Sequence, residues 1–564
     1  MNPLESHAVL PPLLLPTPKE CRVTATQHRI ATPAVVEQRD FLPAEGYQLT
    51  VDERGVTITH GDAAGLRHAK ATLDQLHRQY PEGMFPGLQI SDAPVFATRG
   101  VMLDVSRDRI PTLAELERII GVLASWKINH LQLYVEHTVA YQGHESVWQG
   151  TGALTLEELR HLESVAATVG ITLAANQNCF GHLSAWFRHP TYAPLAEVAP
   201  DGWWDFNGLV SRQGGFSFCP SDPRALALVE DLLGQLLPTM SAPWVNIGCD
   251  ETFDVGQGRS REEVAQRGRA TVYAEFVAKV CAIASRHGKR PQFWADIALE
   301  HPEALALLPP DLLGLAWGYE GDAPFARWLD QLGEREAWVC PGTSSWRSFT
   351  GRTAERQANL LAAAREGAGR ATGFLVTDWG DLGHRQQWPI SLHGLAEAAH
   401  RAWSGTAPYD PRAGGLHAFG DAAWGPWLDA LGNVDHPLRQ TCGRTPGSPL
   451  RNATALFTDW HKPLSDQWLG TLDQWQTALQ RLQDLPPMPS PDPEVDLALT
   501  QARLALERAV RRRQGDAAGL RRLAPEVRAA VDRHRQYWLA RCRPGGLTAS
   551  CVHDLAIAED LERA

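Results

Sequence analysis

The chain reads as an α/β protein centred on a (β/α)8 TIM barrel, with a small α+β domain before it and a helical C-terminal domain after it. Three observations predict this. Eight short apolar runs, each suited to a strand buried on both faces, alternate with helical stretches between residues 99 and 380. Polar and aromatic residues collect at the ends of those runs, where a barrel carries its active-site groups. Beyond about residue 405 the strand-like runs stop and apolar residues recur at helical spacing.

The first twenty residues, MNPLESHAVLPPLLLPTPKE, hold a leucine-rich run broken by prolines, with no basic stretch before it, and make a poor signal peptide. The segment EGYQLTVDERGVTITHGDAAGLRHAKATLDQL alternates like two strands about a DERG turn, then takes a helical period from Ala63. This is the small non-catalytic domain, residues 1–93, and Pro94 in ISDAPVFATRG marks the linker after it.

The barrel is expected over residues 94–405. Its strands are RGVMLDV, INHLQLYV, GITLAAN, PWVNIGCD, PQFWAD, LLGLAW, AWVCPG and GFLVTDWG, with helices such as 113–126 and 274–286 between them. A doubly wound open sheet is the structural rival, but it gathers its functional residues at one crevice rather than on every strand. Residues 406–564 form the helical domain, typified by DPEVDLALTQARLALERAVRRRQGDAAGLRRLAPEVRAAVDRHRQYWLARC. Packing and self-association are its expected uses, which leaves a homodimer open.

Composition narrows the function classes. At 564 residues and 44% hydrophobic content there is material for two to four domains. A net charge of −12 disfavours a nucleic-acid partner, since nothing supplies a net attraction to phosphate. No apolar stretch approaches the ~18 residues that span a bilayer, so no membrane partner is expected. Nine cysteines, an odd number without regular spacing, suit reduced thiols and a cytoplasmic location. There is no CxxC or HExxH, and neither a metal nor another cofactor is expected. The stretch EHTVAYQGHESVW offers Glu136, His137, His144 and Glu145, which read as a polar lid rather than a metal site.

The chemistry centres on VNIGCDETFDVG, where a buried strand ends on Asp250 and Glu251. Two carboxyl groups at a barrel mouth can divide the work of general acid and electrostatic partner if their environments differ. Successive residues on a strand end point apart, so the two need not share a proton. Taken alone, such a pair could cap a turn or helix instead. Trp294, Trp317, Trp346 and Trp379 fall at or just after strand ends and would form an aromatic box for the apolar face of a sugar ring or a methyl group, with Arg99 and the carboxylates on hydroxyls.

In order, RGVMLDVSR, ASWKINHLQLYVEH, GHLSAW, NIGCDET, FWAD, LAWGYE and TDWGD resemble the family 20 glycoside hydrolases, the β-N-acetylhexosaminidases, in a divergent bacterial-type branch. The resemblance covers residues 94–405, and the preceding α/β unit is similar to the family's small non-catalytic domain. It implies an exo-acting enzyme that removes terminal β-linked GlcNAc or GalNAc with retention, the substrate's own 2-acetamido group serving as nucleophile. It further implies Glu251 as acid and base, Asp250 as partner of the acetamido N–H, His182 behind the acid, and Arg99 and Asp381 on ring hydroxyls. Trp294, Trp317 and Trp379 would wall the acetamido pocket. Three departures stand out: Asn246 and Cys249 replace residues of the family's HxGG; the position of the family aspartate that partners the histidine is Val135, with Glu136 one place on at the substrate side; and the acetamido-binding tyrosine is absent from its usual loop, leaving Tyr319 as candidate. Two other readings remain, a non-catalytic glycan-binding barrel and a retaining β-glycosidase with two enzyme carboxylates.

Overall fold

The computed structural model describes residues 11–30, 34–107, 109–442, 452–462 and 470–564. Residues 1–10, on which the reading of a leader partly rests, lie outside these.

The small N-terminal unit is a five-stranded sheet in the order β1-β5-β3-β4-β2, made of β1 (Glu20–Arg29), β2 (Val35–Gln38), β3 (Tyr47–Asp52), β4 (Gly55–His60) and β5 (Met84–Asp92). The DERG turn joins β3 and β4 as an antiparallel pair. Their alternation puts Tyr47, Leu49, Val51, Val56 and Ile58 on one face, against Ala69 and Leu76 of helix Ala63–Gln79.

Eight parallel strands follow: β6 (Thr98–Asp104), β7 (His130–Tyr134), β8 (Thr172–Asn176), β11 (Trp244–Asn246), β12 (Arg290–Trp294), β13 (Leu313–Trp317), β14 (Ala337–Cys340) and β15 (Gly373–Asp378). They close into a barrel when β15 pairs with β6. Between β8 and β11 the chain adds a hairpin, β9 (Trp203–Phe206) and β10 (Val210–Gln213). Of the surrounding helices, Leu113–Ser125, capped by the Thr112 hydroxyl, is amphipathic and buries Leu116, Ile119, Ile120 and Leu123, whereas Trp388–Ser404 is buried on all sides. The barrel interior is partly polar. Gln132 donates to Gln292 (2.7 Å) and accepts from Asn246 (3.0 Å) and Asn176 (3.3 Å), so these buried amides are linked through Gln132.

Buried charge ties the small unit to the bottom of the barrel. Lys127 Nζ lies 2.9 Å from Asp92, which also accepts from Trp403 Nε1 and Tyr47 OH. Arg99 belongs to this seam and not to the mouth. It sits at the start of β6, fully buried, paired with Glu45 at 2.5 Å and donating to the carbonyls of Phe96, Ala97 and Lys127. The expected hydroxyl-binding role of Arg99 is therefore corrected, because the N-terminal end of a barrel strand faces away from the mouth.

After β15 every described element is a helix, from Trp388–Ser404 to Leu547–Arg563. Trp424, Leu456, Trp475, Val495 and Leu506 build the core of this region, and Phe349 and Ile390 of the barrel belong to the same cluster. Among the described residues no helix is long and apolar enough to cross a membrane.

Candidate active site

The turn after β11 aims the acidic pair. Gly248, Cys249 and Glu251 have φ of +71°, +74° and +52°, a region that costs a non-glycine residue roughly 1–2 kcal/mol. Surrounding bonds hold it. Gly248 N–H donates to the Asn246 side chain (2.9 Å), Trp294 N–H to Gly248 O (3.0 Å), Tyr273 OH to Cys249 O (2.9 Å), and Glu251 N–H to Asp296 Oδ2 (2.9 Å). Asn246 thus closes the turn, and Cys249 is accommodated as a fully buried side chain with positive φ. Burial, with Asp250 close by, pushes the Asp296 carboxyl well above the usual carboxylate range.

His182, itself at φ +59°, stands behind the pair. Its Nε2 is 3.2 Å from Asp250 and 3.4 Å from Glu251, and its Nδ1 is 3.5 Å from Glu136. Burial alone would lower its pKa, but Asp250, Glu136 and Glu251 outweigh that and hold it well above the ordinary histidine value. Glu136 is pulled the other way. Burial would raise it, yet Arg107 at 3.2 Å and His182 bring it down to about 2. Glu136 also accepts from Tyr134 OH (3.0 Å), whose oxygen accepts from Asn178 (2.6 Å). The carboxylate behind the histidine is therefore Glu136, a positioning group rather than the substrate contact expected for it. Asp250 is nearly buried, whereas the Glu251 side chain keeps 26% exposure, which leaves Glu251 the more open of the two to a ligand.

The aromatic wall forms as expected in part. Trp294 lies 6.0 Å from Trp379, Trp317 stacks on Tyr319 at 5.4 Å, and Trp379 Nε1 donates to Tyr319 OH (2.7 Å). Tyr319 is thus fixed within this wall. Trp346 is set apart from the other rings by its position rather than by burial, which Trp294 shares. It is buried behind Tyr319, edge-on at 5.0 Å, under the Arg352 guanidinium. Asp381 is half-buried at the mouth; burial raises its pKa, opposed by Arg107.

Arg107 is the arginine of the mouth that the sequence reading missed. It follows the C-terminal end of β6, pairs with Asp104 (3.0 Å) and Glu136, and lies over the rings of Tyr134 (4.8 Å) and Trp379 (5.0 Å). The signal was present: Arg107 closes the same RGVMLDVSR motif, and the strand-end rule selects it over Arg99. Asp104 is consumed in holding the site together, accepting from Ser106 N–H, Arg107 N–H and Gly380 N–H. His144, considered with the lid, instead pairs with Asp231 and Tyr192. Among the described residues no three His, Cys, Asp or Glu side chains gather as a metal site.

Residues 14–93 match the model of glycosyl hydrolase family 20, domain 2, and residues 96–327 that of the family 20 catalytic domain. A beta-hexosaminidase of Akkermansia muciniphila is 27% identical over 319 residues, 50% of this chain and 63% of its own length. A beta-N-acetylhexosaminidase of Cellulomonas fimi is 28% identical, over 47% of this chain and 54% of its own. The chain thus spans less than two thirds of these relatives. The structure of a Flavobacterium johnsoniae chitobiase shares the fold, with a TM-score of 0.58 and 16% identity, across 91% of this chain and 96% of that one. With the small sheet, the closed barrel and the acidic pair at its mouth all in place, the two matched models assign the chain to glycosyl hydrolase family 20.

Proposed function

We propose that the protein is an exo-β-N-acetylhexosaminidase that hydrolyses terminal β-linked GlcNAc or GalNAc by the substrate-assisted route. The observation that carries this reading is the divided acidic pair: Asp250 nearly buried against His182, and Glu251 beside it, more exposed and facing the mouth. In the first step the Glu251 carboxyl protonates the departing glycosidic oxygen as the acetamido carbonyl oxygen of the substrate bonds to the anomeric carbon. Asp250 holds the acetamido N–H and offsets the charge that develops there. In the second step Glu251, now a carboxylate, takes a proton from water as the water attacks the same carbon and the acetamido oxygen leaves. Two inversions give net retention.

Trp294, Trp317, Tyr319 and Trp379 supply an apolar wall with one hydroxyl for the acetamido arm, and Arg107 and Asp381 supply charge for ring hydroxyls. The names of the two relatives support the same activity. The test is hydrolysis of para-nitrophenyl β-glycosides of GlcNAc, GalNAc and glucose by wild type, Asp250→Asn and Glu251→Gln. Turnover of the acetamido sugars alone, lowered about 10²–10³-fold in both variants, is expected. Comparable turnover of the glucoside would favour a second enzyme carboxylate as nucleophile, and activity that survives both substitutions would remove the pair from the chemistry.

A further inference from the structure

We propose that Arg212 forms a subsite for an acidic group on the leaving-group side, so that the preferred substrate links its N-acetylhexosamine to a uronic acid. This rests on the hydrolase reading above. The hairpin β9–β10 carries Arg212 and packs beside the acidic pair: the Phe206 ring lies 5.1 Å from Phe253, two residues after Glu251, and Phe216, in the segment that follows the hairpin, lies 4.7 Å from His182. Register places Arg212 opposite Trp204 and on its face of the ribbon. The guanidinium lies 3.7 Å from the Phe206 ring centroid, 5.4 Å from Phe216 and 5.7 Å from Trp204.

Those rings fix the arginine without using its donors. Among the described residues it has no carboxylate or carbonyl partner, although it is only half-buried. A guanidinium held over aromatic rings with no carboxylate or carbonyl partner keeps its N–H donors available for a planar bidentate acceptor, and a carboxylate matches the guanidinium fork. The other mouth arginine differs. Arg107 is engaged by Asp104 and Glu136.

Position gives the side. The wall proposed for the sugar being released comes from β12, β13 and β15, whereas the hairpin follows β8, the neighbour of β11 on the opposite flank of the acidic pair. A group bound there lies across Glu251 from that wall, where the leaving group must stand for Glu251 to protonate its oxygen. Arg212 nevertheless senses Glu251 and Asp381, and their charges oppose the lowering that burial imposes on its pKa. In a chain of net charge −12, an anionic ligand needs such a local cation to dock.

The experiment compares kcat/KM for N-acetylglucosaminyl-β-1,4-glucuronic acid with that for the same disaccharide ending in glucose, in wild type, Arg212→Gln and Arg212→Lys at low salt. Wild type is expected to favour the acidic disaccharide about tenfold, Arg212→Gln to bring the ratio near one, and Arg212→Lys to restore it in part. A third substrate, the glucose 6-sulfate analogue, separates the anions; a preference confined to sulfate overturns the carboxylate assignment. A wild-type ratio near one, or a ratio unchanged in Arg212→Gln, overturns the subsite while leaving the hydrolase reading intact. Failure of wild type on every substrate, para-nitrophenyl glycosides included, overturns both.

Discussion

His182 is the residue on which the site's electrostatics turn, because three carboxylates share one imidazole. A histidine whose pKa is raised on folding contributes stability in full below its unfolded value, near 6.5, and loses it as pH rises through the folded value. Glu136, held down at about 2, contributes in full above its ordinary 4.5 and loses it as pH falls toward 2. Both contributions are therefore complete between pH 4.5 and 6.5. Replacing Glu136 with Gln removes one of the charges that holds His182 protonated. The expected result is an alkaline limb of the kcat/KM profile moved to lower pH, with a loss of about tenfold or more at pH 8 and a smaller one at pH 6; an unmoved limb would show that Glu136 does not act through His182. The acidic pair was legible in the sequence only through its company, the strand-end tryptophans and the ordered motifs, because alone it could equally have capped a turn or helix. Glu136 was harder, since a shift of one residue on a strand end changes the face it serves. Arg99 was misread for a different reason: a motif gives order along the chain but not which end of a strand reaches the site.

At the scale of elements, the turn after β11 shows how backbone geometry sets the chemistry. A Cβ on Gly248 would run into the side chain of Asn178, and its φ of +71° disfavours any larger residue. Asn178 in turn supports Tyr134 and, through it, Glu136. Gly248→Ala is expected to cost about 2 kcal/mol or more in urea unfolding. It should also lower kcat about tenfold, with a smaller change in KM, because Asn178 must move before the alanine fits. Wild-type stability and kcat in this variant would mean that the turn has slack. All eight barrel strands were legible because burial on both faces leaves continuous apolar runs. The β9–β10 hairpin was not recognised, although its signal was there. Asn207-Gly208 follows the aromatic run Trp203–Phe206, and both residues have positive φ, as in a type I′ turn, here closed by Leu209 N–H on Phe206 O at 2.9 Å.

On the scale of the whole molecule, the last helix of the helical region packs against the loop that carries Trp379 and Asp381, a contact that helical spacing alone could not disclose. Spacing identified the helices and their apolar faces, but not that Phe349 and Ile390 of the barrel would share their core. The loop after β15 carries Trp379 and Asp381 and is held from both sides. Asp104 and the barrel take Gly380 N–H and His384 Nε2, while the last helix supplies Ser550 to Gly383 O and Asp554 to Arg385. Asp554 Oδ1 accepts from Arg385 at 2.6 Å and from Trp460 Nε1 at 2.7 Å, and the arginine is almost wholly buried. Removing one member of such a pair strands the other charge away from water, at a cost of about 3–5 kcal/mol. Asp554→Ala is therefore expected to lower the urea midpoint sharply. Because Arg385 lies four residues from Asp381, the loop should also loosen, raising KM for para-nitrophenyl GlcNAc several-fold more than it lowers kcat. Asp554→Asn keeps an acceptor for Trp460 without the charge and should fall between the two on both measurements. A variant with lowered stability but unchanged KM would make Asp554 a packing residue alone, whereas a KM that tracks the loss of the Arg385 contact would mean that the helical region helps to set how the mouth grips its substrate.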